Sequence, residues 1–157
     1  MLGSRPDATK HAELVSHDSS RKERRLLRIL LAEDNVVNQR LAMRMLEKQG
    51  HMVVVARDGV TALAALERAR FDVVLMDVQM PLMDGIDATA AIRKEERATG
   101  QHIPIIAMTA HAMSGDRQRF LASGMDGYVS KPVHSKELLA AIAKVLSLDA
   151  APLLPAE

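Results

Sequence analysis

The sequence contains no cysteine and no tryptophan, and its 157 residues include one tyrosine and two phenylalanines. Without cysteine the chain has no disulfide, no thiolate metal site and no cysteine nucleophile, which fits a reducing compartment. The scarcity of aromatic side chains argues against stacking on nucleobases or flavin rings. The core must therefore be aliphatic and rich in methionine, of which there are ten.

An excess of charge of one sign is also missing. Lysine and arginine number 21 against 20 acidic residues, giving a formal net charge of +1. We therefore expect no direct nucleic-acid partner and no anionic-membrane partner for the chain as a whole. No apolar run approaches the roughly 18 residues of a membrane span, and the first 20 residues lack a continuous apolar signal segment. These absences predict a cytoplasmic module that does not insert into a membrane.

The periodic part of the chain lies between two polar or irregular ends. Residues 1–25 form an expected N-terminal tail or linker, with a short helix around Ala12 to Val15 as an option and a basic cluster at 21–25. We interpret that cluster as a solvated linker, with a docking or membrane-surface patch as the alternative. Residues 26–148 are the predicted domain, and residues 149–157, interrupted by two prolines, are an expected C-terminal tail.

Short apolar runs alternate with helical patterns five times between these ends. The runs are continuous rather than alternating in polarity, which indicates parallel strands covered by helices on both faces. Five such units with right-handed crossovers predict a doubly wound α/β fold, flavodoxin-like (βα)5, with strand order 2-1-3-4-5. The predicted strands cover residues 29–32, 52–56, 73–76, 105–108 and 128–129.

Helical spacing also predicts which faces are buried. In the first helix, from about residue 36 to 49, Val37, Leu41 and Met45 form one apolar stripe. Ala42 and Leu46 are expected to widen it. The last helix is expected to bury Leu138, Ile142 and Val145.

Polar residues that suit phosphoryl chemistry follow the predicted strands. Glu33 and Asp34 follow the first strand, Asp77 the third, Thr109 the fourth and Lys131 the fifth. In the order 2-1-3-4-5 the first and third strands are neighbours, so their carboxyl ends bring the three acids together. Three carboxylates and a lysine along one rim predict a phosphoryl site.

Four segments around these residues resemble the response-regulator receiver domains over about residues 27–148. The amino-acid sequence of these segments is most like that of receivers attached to hybrid sensor histidine kinases. The segments are LAEDN at 31–35, MDVQMPLMDG at 76–85, MTAH at 108–111 and GMDGYVSKP at 124–132.

The resemblance implies a phosphoacceptor and a metal site. Asp77 would be the nucleophile that accepts the phosphoryl group. Mg²⁺, with Mn²⁺ as an alternative, would be held by Glu33, Asp34, Asp77 and the backbone carbonyl of Gln79.

The resemblance also implies roles for residues beyond the acidic cluster. Lys131 would pair with Asp77 and then with a phosphoryl oxygen, while Thr109 and the backbone of Ala110 would bind the other phosphoryl oxygens. Thr109 with Tyr128 would form the switch. For Tyr128, a half-buried edge tyrosine without a switching role remains an open alternative. The Lys131–Pro132 peptide bond is a candidate for the cis form.

Gln79 and His111 would flank the site and tune hydrolysis of the acyl phosphate. The six histidines of the chain are scattered without metal-like spacing, and we expect all of them to be solvated. A phosphatase with an aspartate nucleophile would need a second aspartate where this chain has Gln79.

The implied function is that of a phosphoacceptor switch in a two-component phosphorelay. Its partners would be a histidine kinase domain, a histidine phosphotransfer domain, or both. The chain itself would not be an enzyme beyond self-phosphorylation from small donors and self-dephosphorylation, whereas a parent hybrid histidine kinase would be a kinase. The alternative is a receiver-like adaptor that binds partner proteins without phosphorylation.

Overall fold

The structure is a computed structural model that describes residues 26–112 and 114–150. The predictions for residues 1–25, including the short helix near Ala12 and the basic cluster, lie outside the described residues. The same holds for residues 151–157.

Five strands and five helices alternate along the described chain. All strand pairs are parallel, and the sheet order is β2-β1-β3-β4-β5, so the predicted doubly wound fold is confirmed. The strands are β1 (Arg28–Ala32), β2 (Met52–Ala56), β3 (Val73–Asp77), β4 (Ile105–Thr109) and β5 (Gly127–Ser130). The helices are α1 (Val36–Lys48), α2 (Gly59–Arg68), α3 (Gly85–Thr99), α4 (Ser114–Ala122) and α5 (Ser135–Ala150).

The strand register aligns the polar residues at one rim of the sheet. Ala32 at the end of β1 pairs with Met76, one residue before Asp77. On the far side of β3, Asp77 pairs with Met108, and Thr109 pairs in turn with Ser130. The last residues of β1, β3, β4 and β5 therefore end side by side.

The sheet separates two hydrophobic clusters, one on each face. Side chains from α1 and α5 fill the first cluster, whereas those from α2, α3 and α4 fill the second. Every residue of β3 and β4 is buried, as expected for central strands covered on both sides. The predicted core face of α5 is confirmed, since its buried members include Leu138, Ile142 and Val145.

The predicted core face of α1 is wrong in part. Ala42 and Leu46 are fully buried, but Val37 is 73% exposed and Leu41 is 38% exposed, while Met45 is partly buried against the core. Two adjacent apolar rows run along this helix, and the sheet covers the row through Ala42 and Leu46. Hydrophobic spacing cannot choose between neighbouring rows of similar polarity.

Side-chain caps fix where three helices begin. The side chains of Asn35, Asp58 and Asp84 each accept a backbone N–H from three residues further along, at 2.7–3.0 Å. Such caps satisfy backbone donors that have no partner inside the helix. The last helix, α5, ends at Ala150, which is two residues into the C-terminal tail expected at residues 149–157.

The prediction that all histidines are solvated is wrong for His51. Its Nδ1 accepts the backbone N–H of Leu27 at 3.1 Å, and the residue is half-buried. Burial lowers the pKa of His51, although the charge of Asp72 acts in the opposite direction.

In the described ranges there is also no helix with the length and apolar character needed to cross a bilayer.

Candidate functional site

Three carboxylates meet at the carboxyl ends of β1 and β3. Oxygen atoms of Glu33, Asp34 and Asp77 all lie within 4.8 Å of one another. Glu33 is 1% exposed and Asp77 is 3% exposed, whereas Asp34 faces solvent. The predicted acidic group is therefore assembled, with one open side through which a ligand could reach it.

Lys131 lies between the two buried carboxylates. Its Nζ atom is 2.9 Å from Glu33 Oε1 and 2.9 Å from Asp77 Oδ1. The backbone N–H of Lys131 donates to the Thr109 carbonyl at 2.7 Å, so β4 positions the residue that follows β5. One ammonium neutralises one of the two buried negative charges, and the remaining charge favours a cation.

Sequence reasoning predicted the pairing of Lys131 with Asp77 but missed its second partner, Glu33. A signal existed, since Glu33 and Lys131 both follow apolar strands, but the reach of the Lys131 side chain past the ends of β4 and β3 cannot be derived from strand ends alone. Glu33 is further held by the N–H of Asn35, at 3.2 Å from Oε2.

The electrostatics of Asp77 follow from this crowding. Burial raises the pKa of Asp77 to about 7; Glu33 acts in the same direction, whereas the ammonium of Lys131 opposes the shift. For Lys131, burial acts to lower the pKa, but hydrogen bonds and charges from Glu33 and Asp77 outweigh it and raise the pKa overall. A bound cation would favour the ionised form of Asp77.

The backbone after β3 is fitted closely to Asp77. The N–H of Gln79 donates to Asp77 Oδ1 at 3.1 Å, and the N–H of Gly85 donates to the Val78 carbonyl at 3.0 Å. A Cβ atom at Gly85 would collide with the carbonyl oxygen of Asp77. Glycine is therefore required where α3 begins, a constraint that the Asp84-Gly85 turn signal did not reveal.

A cleft of about 620 Å³ opens beside the acidic cluster, between the β3–α3 loop and α4. Thr109 is buried on its wall, and its Oγ1 accepts the backbone N–H of His111 at 3.0 Å. Ala110, between them, is exposed. The lining side chains include Asp34, Gln79, Thr109, His111 and Arg119.

Tyr128 lies in β5 at the edge of this region. It is half-buried and packs against the second hydrophobic cluster. The guanidinium of Arg117 lies over its ring, 5.8 Å from the centroid. The Lys131–Pro132 bond is cis, as predicted.

Taken together, the rim offers oxygen ligands suited to a hard divalent cation, a buried carboxylate nucleophile and an ammonium close to it. The hydroxyl of Thr109 lies on the adjoining wall. This set of groups can accept a phosphoryl group and neutralise its charge.

Comparison with known proteins agrees with this geometry. The family model described as response regulator receiver domain matches residues 29–143. Hybrid signal transduction histidine kinase I of Dictyostelium discoideum is 47% identical over 116 residues, which are 71% of this chain and 7% of that protein. The sensor protein GacS of Pseudomonas syringae pv. syringae is 44% identical over 118 residues, covering 74% of this chain and 13% of GacS.

Solved structures give the same result at the level of the fold. The receiver domain of the sensor histidine kinase PA1611 from Pseudomonas aeruginosa, solved with magnesium coordinated in its active site cleft, is 41% identical with a TM-score of 0.70. That match covers 78% of this chain and 98% of the PA1611 domain. The Saccharomyces cerevisiae complex of Ypd1 with the receiver domain of Ssk1 matches with 28% identity and a TM-score of 0.74, covering 80% of this chain and 92% of that one.

The chain thus spans a small part of the two kinases named above, but nearly the whole of the isolated receiver structures. From the match over residues 29–143, the sheet order and the acidic rim, we conclude that this chain belongs to the response regulator receiver domain family.

Proposed function

We propose that the chain is the phosphoacceptor switch of a two-component phosphorelay, in which Asp77 receives a phosphoryl group from a phosphohistidine. The observation that carries this proposal is the buried carboxylate of Asp77 beside Glu33 and Asp34, with Lys131 Nζ at 2.9 Å. The donor histidine belongs to a histidine kinase domain or a histidine phosphotransfer domain.

The transfer makes one bond and breaks one. An oxygen of Asp77 forms a bond to phosphorus while the bond from phosphorus to the imidazole nitrogen of the donor breaks, and the imidazole leaves with the electron pair and takes up a proton. The Lys131 ammonium and the Gln79 N–H both reach Oδ1, which leaves the other carboxylate oxygen for the new bond. Lys131 then pairs with a phosphoryl oxygen, while the Thr109 hydroxyl and the Ala110 N–H donate to the others.

The acidic cluster fits Mg²⁺, with Mn²⁺ as the alternative. Glu33, Asp34 and Asp77 supply hard oxygen donors within 4.8 Å of one another, and the Gln79 backbone carbonyl would add a further oxygen. When bound, the ion neutralises negative charge on the carboxylates and on the phosphoryl oxygens. Gln79 and His111, which line the adjoining cleft, would tune how fast water reaches the acyl phosphate.

The surface around the rim supports a protein as the phosphodonor. Val36 and Val37 on α1 are exposed, and Leu82 in the β3–α3 loop is 86% exposed. Exposed apolar side chains near a polar site favour association with another protein. The relative Ssk1, whose receiver domain was solved with the histidine phosphotransfer protein Ypd1, is an example of such an assembly.

The chemistry of the chain itself is limited under this proposal. A domain formed by residues 26–148 accepts phosphoryl groups, also from small donors, and loses them by hydrolysis, in the cytoplasm. Kinase activity would come from a histidine kinase domain, either in a partner or in a longer hybrid protein. Residues 1–25 and 149–157 would serve as tails or linkers.

Intact-mass measurement tests the proposal and separates it from a phosphorylation-independent adaptor. With acetyl phosphate and Mg²⁺ the parent chain should gain the mass of one phosphoryl group, and a chelator should prevent the gain. Asp77→Asn is the matched control and should remain unmodified. A parent chain that never gains mass would favour the adaptor.

A further inference from the structure

Helix α4 is held to the sheet by few apolar contacts. Among its described side chains, 115–122, Phe120 alone is buried. By comparison, α3 buries Ala88, Thr89 and Ile92 in addition to its first glycine. Because helix docking depends mainly on buried apolar area, α4 is more easily displaced than α3.

The contact between Arg117 and Tyr128 is a second attachment of this helix. Arg117 is exposed on α4, and its guanidinium lies 5.8 Å from the ring centroid of Tyr128 on β5. Tyr128 pairs with Ala107 of β4, two residues before Thr109. A cation over an aromatic ring at an exposed site shifts an equilibrium by about two- to fivefold.

The same helix follows Thr109 in the chain, so it is connected to the phosphorylation site. The Thr109 hydroxyl accepts the N–H of His111 in the unphosphorylated structure. A phosphoryl oxygen on Asp77 would accept the proton of that hydroxyl, and because the His111 N–H is bonded to the same oxygen, movement of Thr109 toward the phosphoryl group would also shift the His111 backbone, which precedes α4. The cleft of about 620 Å³ between α4 and the β3–α3 loop provides room for the helix to move.

We propose that Arg117 is a positioning residue whose contact with Tyr128 latches α4 in its unphosphorylated position and thereby slows phosphorylation of Asp77. The proposal rests on the phosphoacceptor function inferred above. The Arg117–Tyr128 contact stabilises the unphosphorylated state and must weaken when α4 moves on phosphorylation. The variant without the cation is therefore phosphorylated faster, whereas general damage to the fold would slow the reaction.

The test compares initial rates of phosphorylation by acetyl phosphate and Mg²⁺, followed by intact mass. Arg117→Gln should react about two- to fivefold faster than the parent, the size expected for one exposed cation–π contact. Arg117→Lys keeps a cation over the ring and should stay close to the parent. Arg44→Gln removes an exposed cation from α1, on the opposite face of the sheet, and serves as the matched control.

Tyrosine fluorescence gives an independent readout, because Tyr128 is the single tyrosine and the chain has no tryptophan. Without donor or metal, acrylamide should quench the emission more strongly in Arg117→Gln than in the parent, and Arg44→Gln should match the parent.

The outcomes distinguish this inference from the function on which it rests. A parent chain that is not phosphorylated overturns the phosphoacceptor function. If the parent is phosphorylated, the latch alone is overturned when Arg117→Gln reacts no faster than the parent. It is also overturned when Arg117→Lys or Arg44→Gln reacts as fast as Arg117→Gln. Unchanged acrylamide quenching in Arg117→Gln also counts against the latch.

Discussion

At the scale of single residues, the site depends on two carboxylates that share one ammonium. Glu33 and Asp77 are both buried, and Lys131 is 2.9 Å from each. With one positive charge for two acids, burial raises the pKa of Asp77 to about 7. Without a cation, a considerable fraction of Asp77 is therefore protonated near neutral pH.

The first prediction concerns the pH dependence of Mg²⁺ binding. The ion needs the ionised carboxylate, and the folded pKa of Asp77 lies above its ordinary value, so affinity is gained as pH rises through about 7 and lost as pH falls through it. For one displaced proton, Mg²⁺ should bind about tenfold more weakly at pH 6 than at pH 8. Isothermal titration calorimetry at both pH values measures the difference.

The control for this prediction is Asp77→Asn, whose amide does not titrate. It should bind Mg²⁺ more weakly than the parent and show a flatter profile between pH 6 and pH 8. Equal Mg²⁺ affinity of the parent chain at pH 6 and pH 8 would contradict the raised pKa of Asp77.

Much of the site could be predicted at this scale, because its polar residues directly follow apolar strands. Glu33, Asp34, Asp77, Thr109 and Lys131 all occupy the expected rim. The second contact of Lys131, with Glu33, was missed because it depends on how far a flexible side chain reaches past the ends of β4 and β3.

Two further residue-level features also depend on contacts distant in the chain. Gly85 is required because it approaches the carbonyl of Asp77, and His51 is half-buried because it accepts the N–H of Leu27. The sequence immediately around Gly85 or His51 gives no indication of these contacts.

At the scale of elements, α1 shows the limit of hydrophobic spacing. Its apolar residues occupy two adjacent rows, of which one packs on the sheet and the other faces solvent near the acidic rim. The pattern indicated a helix and its approximate face, but the rotation of the helix is fixed by packing against β-strands and α5. In α5, a more sharply defined row made the buried residues predictable.

The second prediction uses two leucines of α1 as a matched pair. Leu46→Ala removes a fully buried side chain and should lower the free energy of unfolding by about 2–5 kcal/mol. Leu41→Ala removes a side chain that is 38% exposed and should cost less than about 1 kcal/mol. Urea denaturation measures both values, and equal losses would show that the helix is rotated differently.

At the scale of the whole molecule, the fold brings distant parts of the sequence to one rim. The order β2-β1-β3-β4-β5 places β1 beside β3 and β4 beside β5, so the site draws on four strand ends. Right-handed crossovers and continuous apolar runs made this order predictable from the sequence. No comparable prediction could be made for residues 1–25 and 149–157, because their sequence carries no sustained hydrophobic period.

The central claim is that Asp77 itself carries the phosphoryl group. Borohydride reduction of the chain after treatment with acetyl phosphate and Mg²⁺ converts an acyl phosphate to an alcohol, and peptide mass spectrometry then locates it. Homoserine is expected at position 77, and none is expected when Mg²⁺ is chelated. Reduction at another acidic residue, or none anywhere in a chain that has gained a phosphoryl group, would contradict it.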